Sequence, residues 1–158
     1  MTWLVVGTDA VLGVFVLMFG WLVLRHRLRA VLAGAGVAVA YVISELVKFA
    51  VQEDRPCRTA PSLAHCPPPG DWSFPSNHSV IAGASAMAIW SLHRALGWVA
   101  AVCAVAAAAS RVAVGVHYVH DVLAGLLLGA LVSWVIAVLL KKKRVEDDAP
   151  TVVLTRLG

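Results

Sequence analysis

Charge is what this chain has least of. Only 14% of its 158 residues are Asp, Glu, Lys or Arg, whereas 60% are apolar and the mean hydropathy is +0.82. A soluble domain of this size cannot present so little polar surface, so an integral membrane protein is the class that fits. The length leaves no room for a second folded unit. The N-terminus lacks the basic region of a cleavable signal and its apolar stretch is long enough to span, so no leader is expected. Carboxylates do not cluster, which argues against a resident metal, and no cofactor is expected. The net charge of +4 does not point to nucleic acid, because the basic residues form short groups between apolar stretches instead of covering a face.

Those groups set the expected topology. Apolar stretches at 3–24, 30–51, 75–92, 95–116 and 122–140 are each near the ~20 residues a helix needs to cross the hydrocarbon. The expectation is an all-α bundle of about five transmembrane helices within residues 1–144. A polar tail, 145–158, is expected to be disordered and cytoplasmic. Alternating five spans puts Arg25 to Arg29, Arg94 and Lys141 to Arg144 on one side. The positive-inside rule makes that side cytoplasmic and the N-terminus external. Gly125 and Gly129 form a G-x-x-x-G in the last span, read as tight packing within one bundle ahead of a dimer seam; Ala104 to Ala109 reads the same way. The oligomeric state is left open.

Three polar clusters interrupt the apolar chain. Lys48 is followed after six residues by Arg55-Pro56; Pro75-Ser76-Asn77-His78 comes next; Ser110-Arg111 is followed after five residues by His117 and after three more by Asp121. Three cations suit a dianionic phosphate, with no matching carboxylates evident, and a His–Asp pair suits a nucleophile or a base. The topology, drawn without these motifs, puts them all at the outer face. Any one of the three cations could also be an interfacial anchor, Lys48 above all, since lysines near helix ends snorkel to headgroups.

The order and spacing resemble the type 2 phosphatidic acid phosphatase family, whose pattern reads K-x6-RP, PSGH, SR-x5-H-x3-D. The match runs from Lys48 to Asp121, about half the chain, and departs at Asn77, where glycine is usual. The family commonly has one more span before the lysine motif. The resemblance implies a metal-independent phosphatase in which Lys48, Arg55 and Arg111 bind the phosphoryl group and stabilise its transition-state charge. It implies His117 as the nucleophile of a phosphohistidine intermediate, oriented by Asp121, and His78 as the general acid. Ser76 and the amides around Asn77 would hold phosphate at a helix N-terminus. Asn77 tolerates unusual backbone conformations, and its side-chain amide adds a donor. Ser110 lies within the motif as a possible supporting residue. Glu45, one turn before Lys48, is a candidate supporting ion pair. His120 adjoins Asp121 but misses the spacing, so it is given no catalytic role.

Cys57 and Cys66 share the polar loop, which would face an oxidising compartment, so a disulfide beside Arg55 is possible; Cys103 lies mid-span and is expected to remain a free thiol. The expected function is hydrolysis of undecaprenyl or decaprenyl diphosphate to the monophosphate in a bacterial inner membrane, with the site on the extracytoplasmic side. Phosphatidylglycerophosphate, phosphatidate and prenyl-linked phosphoribose are alternative substrates. A small transporter or a non-catalytic headgroup-binding protein are distant alternatives, disfavoured because the charges gather at one rim and both histidines are present.

Overall fold

A computed structural model describes residues 2–147. The chain forms α1 (Thr2–Val51), a single 3-10 turn at Pro56–Arg58, α2 (Asn77–Leu92), α3 (Arg94–Ala113) and α4 (Val119–Asp147). Among the described residues there is no strand. Among the described residues three helical segments are long and apolar enough to cross a membrane, Gly13–Val51, Arg94–Ala113 and Val119–Lys142.

The first two expected spans are joined in α1, which leaves helical geometry at Arg27 (φ 20°, ψ −96°). A straight helix of 50 residues would run about 75 Å, more than twice the ~30 Å of hydrocarbon. Both arms instead pack on the short α2. Phe15 and Leu22 from the first arm share a core with Ala82, Ala86 and Ile89, while Ser44 from the second arm bonds Asn77 at the start of α2. The break falls within Arg25 to Arg29, where three arginines and a histidine in five positions would be costly to carry through hydrocarbon.

α2 is the axis of the bundle, contacting α1, α3 and α4. Its buried residues are mostly small (Ser79, Val80, Ala82, Gly83, Ala84, Ser85, Ala86, Ala88) and lie on every side, the pattern of a helix enclosed by others. Small residues let the backbones approach closely. A Cβ on Gly125 would stand 2.8 Å from the Ser76 carbonyl oxygen, and one on Gly129 would overlap the Val80 carbonyl. The G-x-x-x-G therefore seats α4 on α2 inside one chain, as expected from the sequence. Large apolar side chains face outward: Leu17, Leu24, Trp98, Val102 and Leu127 are all exposed, as they would be against lipid.

α4 begins at Val119, three residues earlier than expected, and continues through the basic cluster to Asp147. The first three residues of the expected tail are thus helical; cations near a helix C-terminus complement its dipole. The rest of that tail lies outside the described residues.

Candidate active site

The motif residues meet where four segments end together: the last turn of α1, the loop over residues 52–76, the start of α2 and the α3–α4 corner. The backbone stitches these ends. Ser73 N–H donates to the Glu53 carbonyl (2.7 Å), Ser76 N–H to that of Asp121 (3.1 Å) and Leu63 N–H to that of Val114 (2.9 Å). Cys57 and Cys66 are joined as a disulfide (Cα–Cα 5.7 Å) in the same loop, and Cys103 is a free thiol.

His117 sits in the bend before α4, almost fully buried. Asp121 occupies the first turn of α4, where its Oδ2 accepts from the Tyr118 backbone N–H (2.8 Å). This is the backward half of a capping box, and it anchors the carboxylate on its own helix. The same Oδ2 lies 3.3 Å from His117 Nδ1 and accepts the Ser73 hydroxyl. On the ring's other edge, Arg55 Nη1 is 2.9 Å from Nε2. A guanidinium can only donate, so Nε2 carries the lone pair and the proton resides on Nδ1, facing Asp121. An imidazole held in this tautomer can attack an electrophile through Nε2. Burial, chiefly, keeps the His117 pKa below its ordinary value; the charges of Arg55 and Arg111 act in the same direction, against the pull of Asp121.

Arg55 is buried and anchored independently of the histidine. Its Nε donates to the Asp71 carbonyl (2.9 Å) and Nη1 to that of Val116 (3.2 Å). Lys48, also buried, comes from the last turn of α1. Both cations converge on one atom, Asp71 Oδ1, at 2.8 Å from Arg55 Nη2 and 3.3 Å from Lys48 Nζ. The expectation that the cations lack carboxylate partners is thus corrected: Asp71 pairs with two of them. Partial burial would raise the Asp71 pKa, but the hydrogen bond and charge of Arg55, then Lys48, outweigh it and hold the carboxyl below its ordinary value. Glu45, Lys48, Phe49, Asp71 and Trp72 line a cavity of about 180 Å³ beside this point.

The remaining motif residues divide by what they touch. Glu45 lies 3.8 Å from Lys48 Nζ, and its Oε1 accepts from Asn77 Nδ2 at 2.5 Å. Asn77 Oδ1 accepts in turn from Ser44 Oγ (2.7 Å). The Asn77 side chain therefore ties α2 to α1, and the amide group expected as an extra donor is engaged by Glu45. Ser76 caps α2 fully buried, with its hydroxyl unpartnered among the described residues. His78 is half-buried in the first turn of α2, and Arg111 half-buried in the last turn of α3. Ser110 Oγ donates to the Ala107 carbonyl (2.7 Å) of its own helix.

His120, passed over on spacing, has its Nε2 2.8 Å from Glu53 Oε1 and 3.1 Å from Asp121 Oδ1. Glu53, His120 and Asp121 bring one ligand atom each within 4.8 Å of one another. These contacts already pair the three groups among themselves, and they carry no metal assignment. Sequence reasoning missed Asp71 and Ser73. Ser73 is fully buried between His117 and Asp121, 44 and 48 residues away in sequence. The only available signal was polarity in a loop that also carries Glu53 and Asp54.

A helical bundle with apolar outer faces, holding a buried His–Asp pair against two converging cations, has the build of a membrane phosphatase. A family model described as the PAP2 superfamily matches residues 29–144. The chain is 36% identical over 127 residues to a decaprenylphosphoryl-5-phosphoribose phosphatase of Mycobacterium tuberculosis, covering 74% of this chain and 70% of that one. It is 35% identical over 98 residues to an undecaprenyl-diphosphatase of Sulfolobus acidocaldarius, covering 61% and 48%. In fold it resembles the crystal structure of a PAP2-type phosphatidylglycerolphosphate phosphatase from Bacillus subtilis (TM-score 0.71, 24% identity, covering 88% of this chain and 75% of that one). The chain belongs to the PAP2 superfamily, and it is an enzyme of the phosphatase class.

Proposed function

We propose that this protein removes a terminal phosphate from a polyprenyl-linked lipid at the extracytoplasmic rim of a bacterial inner membrane. The single observation that carries the chemistry is the His117 environment. Its Nε2 lone pair sits beside the cation site, and its Nδ1 proton faces a buried carboxylate. In the proposed mechanism the phosphoryl group takes the place of the Asp71 carboxylate between Lys48 and Arg55. Arg111 and the backbone amides at the start of α2 hold the other equatorial oxygens. As the Arg55 Nη1 proton that Nε2 accepts turns to a phosphoryl oxygen, the freed Nε2 lone pair attacks phosphorus, the bond to the leaving oxygen breaks, and a phosphohistidine forms. The Nδ1 proton stays hydrogen-bonded to Asp121, which stabilises the positive charge that develops on the ring. His78 gives a proton to the leaving oxygen, then takes one from the water that hydrolyses the phosphohistidine.

The membrane reading follows the Arg27 break: two arms of α1 with α2, α3 and α4 make five crossings, and positive-inside alternation gives an external N-terminus. α2, at 16 residues, spans only about 24 Å, which suits a helix whose N-terminus ends at a recessed site.

Lys48 and Arg55 converge on a single point, a geometry suited to one phosphoryl group. That favours a phosphomonoester on a prenyl-linked sugar, the headgroup named for the mycobacterial relative. Polyprenyl diphosphate, expected from the motifs and named for the archaeal relative, is the second reading. A long prenyl tail needs no deep protein pocket, since lipid solvates it. The test is phosphate release from matched concentrations of prenyl-phosphoryl phosphoribose, polyprenyl diphosphate and phosphatidylglycerophosphate in detergent. Preferred turnover of the first is expected. Preference for the diphosphate selects the second reading, and preference for the glycerophospholipid refutes both.

A further inference from the structure

At the opposite end of the bundle from His117, α1 around its Arg27 break, the end of α2 and the second half of α4 border a cavity of about 250 Å³. Ala33, Ala88 and Ile136 form its walls, His26, Arg29 and Lys141 lie along it, and among the described residues no carboxylate lines it. Ser133 also lines it, almost fully buried, with a hydroxyl that has no hydrogen-bond partner among the described residues. An unsatisfied buried hydroxyl is unfavourable, because its desolvation is not offset by a hydrogen bond. A cavity that presents one, beneath three basic side chains, is built for an oxygen-rich anion with an apolar root.

We infer that this cavity binds the phosphate headgroup of an anionic membrane phospholipid from the leaflet opposite the active site. Charge complementarity selects the headgroup: Arg29 and Lys141 supply two permanent cations, and the His26 ring a further polar group. Location selects a lipid over a free anion, because the walls are apolar and two of them, Ala33 and Ile136, belong to helices long enough to cross a bilayer. The volume lies just under the ~300 Å³ of small-molecule sites, enough for a headgroup and the root of its chains while the tails stay in the bilayer. The site is distinct from the catalytic one. Ser133 lies 12 residues beyond Asp121 on α4, about 18 Å along the helix, and Lys141 lies farther still.

The ligand joins two elements. Arg29 follows the Arg27 break and Lys141 stands on α4, so one phosphate held by both pins the fold-back of α1 to the end of α4. Arg25, by contrast, is turned onto the Trp21 ring, 5.5 Å from its centroid. A ligand that binds the folded state alone stabilises it by mass action.

The experiment uses full-length protein, delipidated in a neutral detergent, and reads the thermal unfolding midpoint. Phosphatidylglycerol, phosphatidylcholine and inorganic phosphate are added separately to wild type, to the Arg29→Ala/Lys141→Ala double variant and to Ala137→Phe. The last fills the cavity while keeping the cations. Phosphatidylglycerol at saturation should raise the wild-type midpoint by on the order of 5 °C or more. Phosphatidylcholine and phosphate should leave it unchanged, and both variants should lose the rise. Ala137→Phe covers the case in which the double variant does not fold. An equal rise with phosphatidylcholine or with phosphate overturns the proposal, as does a rise that survives in Ala137→Phe.

Discussion

Asp71 occupies the point where substrate phosphate should bind, so Asp71→Asn should tighten phosphate binding. The substitution keeps shape and removes charge. Arg55 should stay in place, because its Nε bond goes to the Asp71 backbone carbonyl and its Nη1 bond to Val116, neither of which depends on the carboxylate. What is lost is the pairing of Oδ1 with Arg55 Nη2 and Lys48 Nζ. The Asp71 side chain is 43% exposed, so the screened value of about 0.5–1 kcal/mol per pair applies, or about 1–2 kcal/mol in all. An incoming phosphate must overcome that pairing in the wild type and would not in the variant. The inhibition constant for inorganic phosphate should therefore fall by about 5- to 30-fold. The assay is inhibition by phosphate of the hydrolysis of a short-chain prenyl phosphomonoester in detergent, in parallel for both proteins. An unchanged or larger inhibition constant would mean that Asp71 supports the cations instead of competing for them, and would refute the reasoning.

Four further outcomes are expected. His117→Ala should abolish turnover and His78→Ala should lower it by ~10²–10⁴-fold, whereas the exposed His120→Ala should keep most activity; a dead His120→Ala beside an active His117→Ala would reverse the assignment. Excess EDTA should leave the wild type active, and loss of activity restored by added metal would contradict a metal-free mechanism. Because the His117 pKa is lowered, its neutral form persists at more acid pH, so the acid limb of kcat/KM should inflect below 6.5. By the same linkage the unfolded chain takes up that proton first, so this group makes stability fall as pH drops below the unfolded value toward the folded one. Gly129→Leu should destabilise the bundle by about 1–3 kcal/mol or more, read as a lower thermal midpoint, since even a Cβ would overlap the Val80 carbonyl.

What the sequence determined by itself is what depends on composition and on short spacing. Apolar content and the basic clusters established a helical membrane protein, because the bilayer imposes one requirement on every spanning segment whatever packs beside it. The His117 and Asp121 pair was legible because residues four apart meet across one turn of chain. Gly125 and Gly129 showed a close helix approach for the same reason, though which helix approaches is a tertiary fact. Only the tertiary structure decided the partners. Lys48 and Arg55 meet Asp71 across 23 and 16 residues, Arg55 reaches His117 across 62, and Ser73 reaches Asp121 across 48. No local pattern distinguishes Asp71 from Glu53 or Asp54 in the same loop, and Asn77 gave no sign that its amide is held by Glu45 and Ser44. A side chain's chemistry is written in the sequence. Which group answers it depends on how far the intervening chain folds back, and that is decided only when the helices pack.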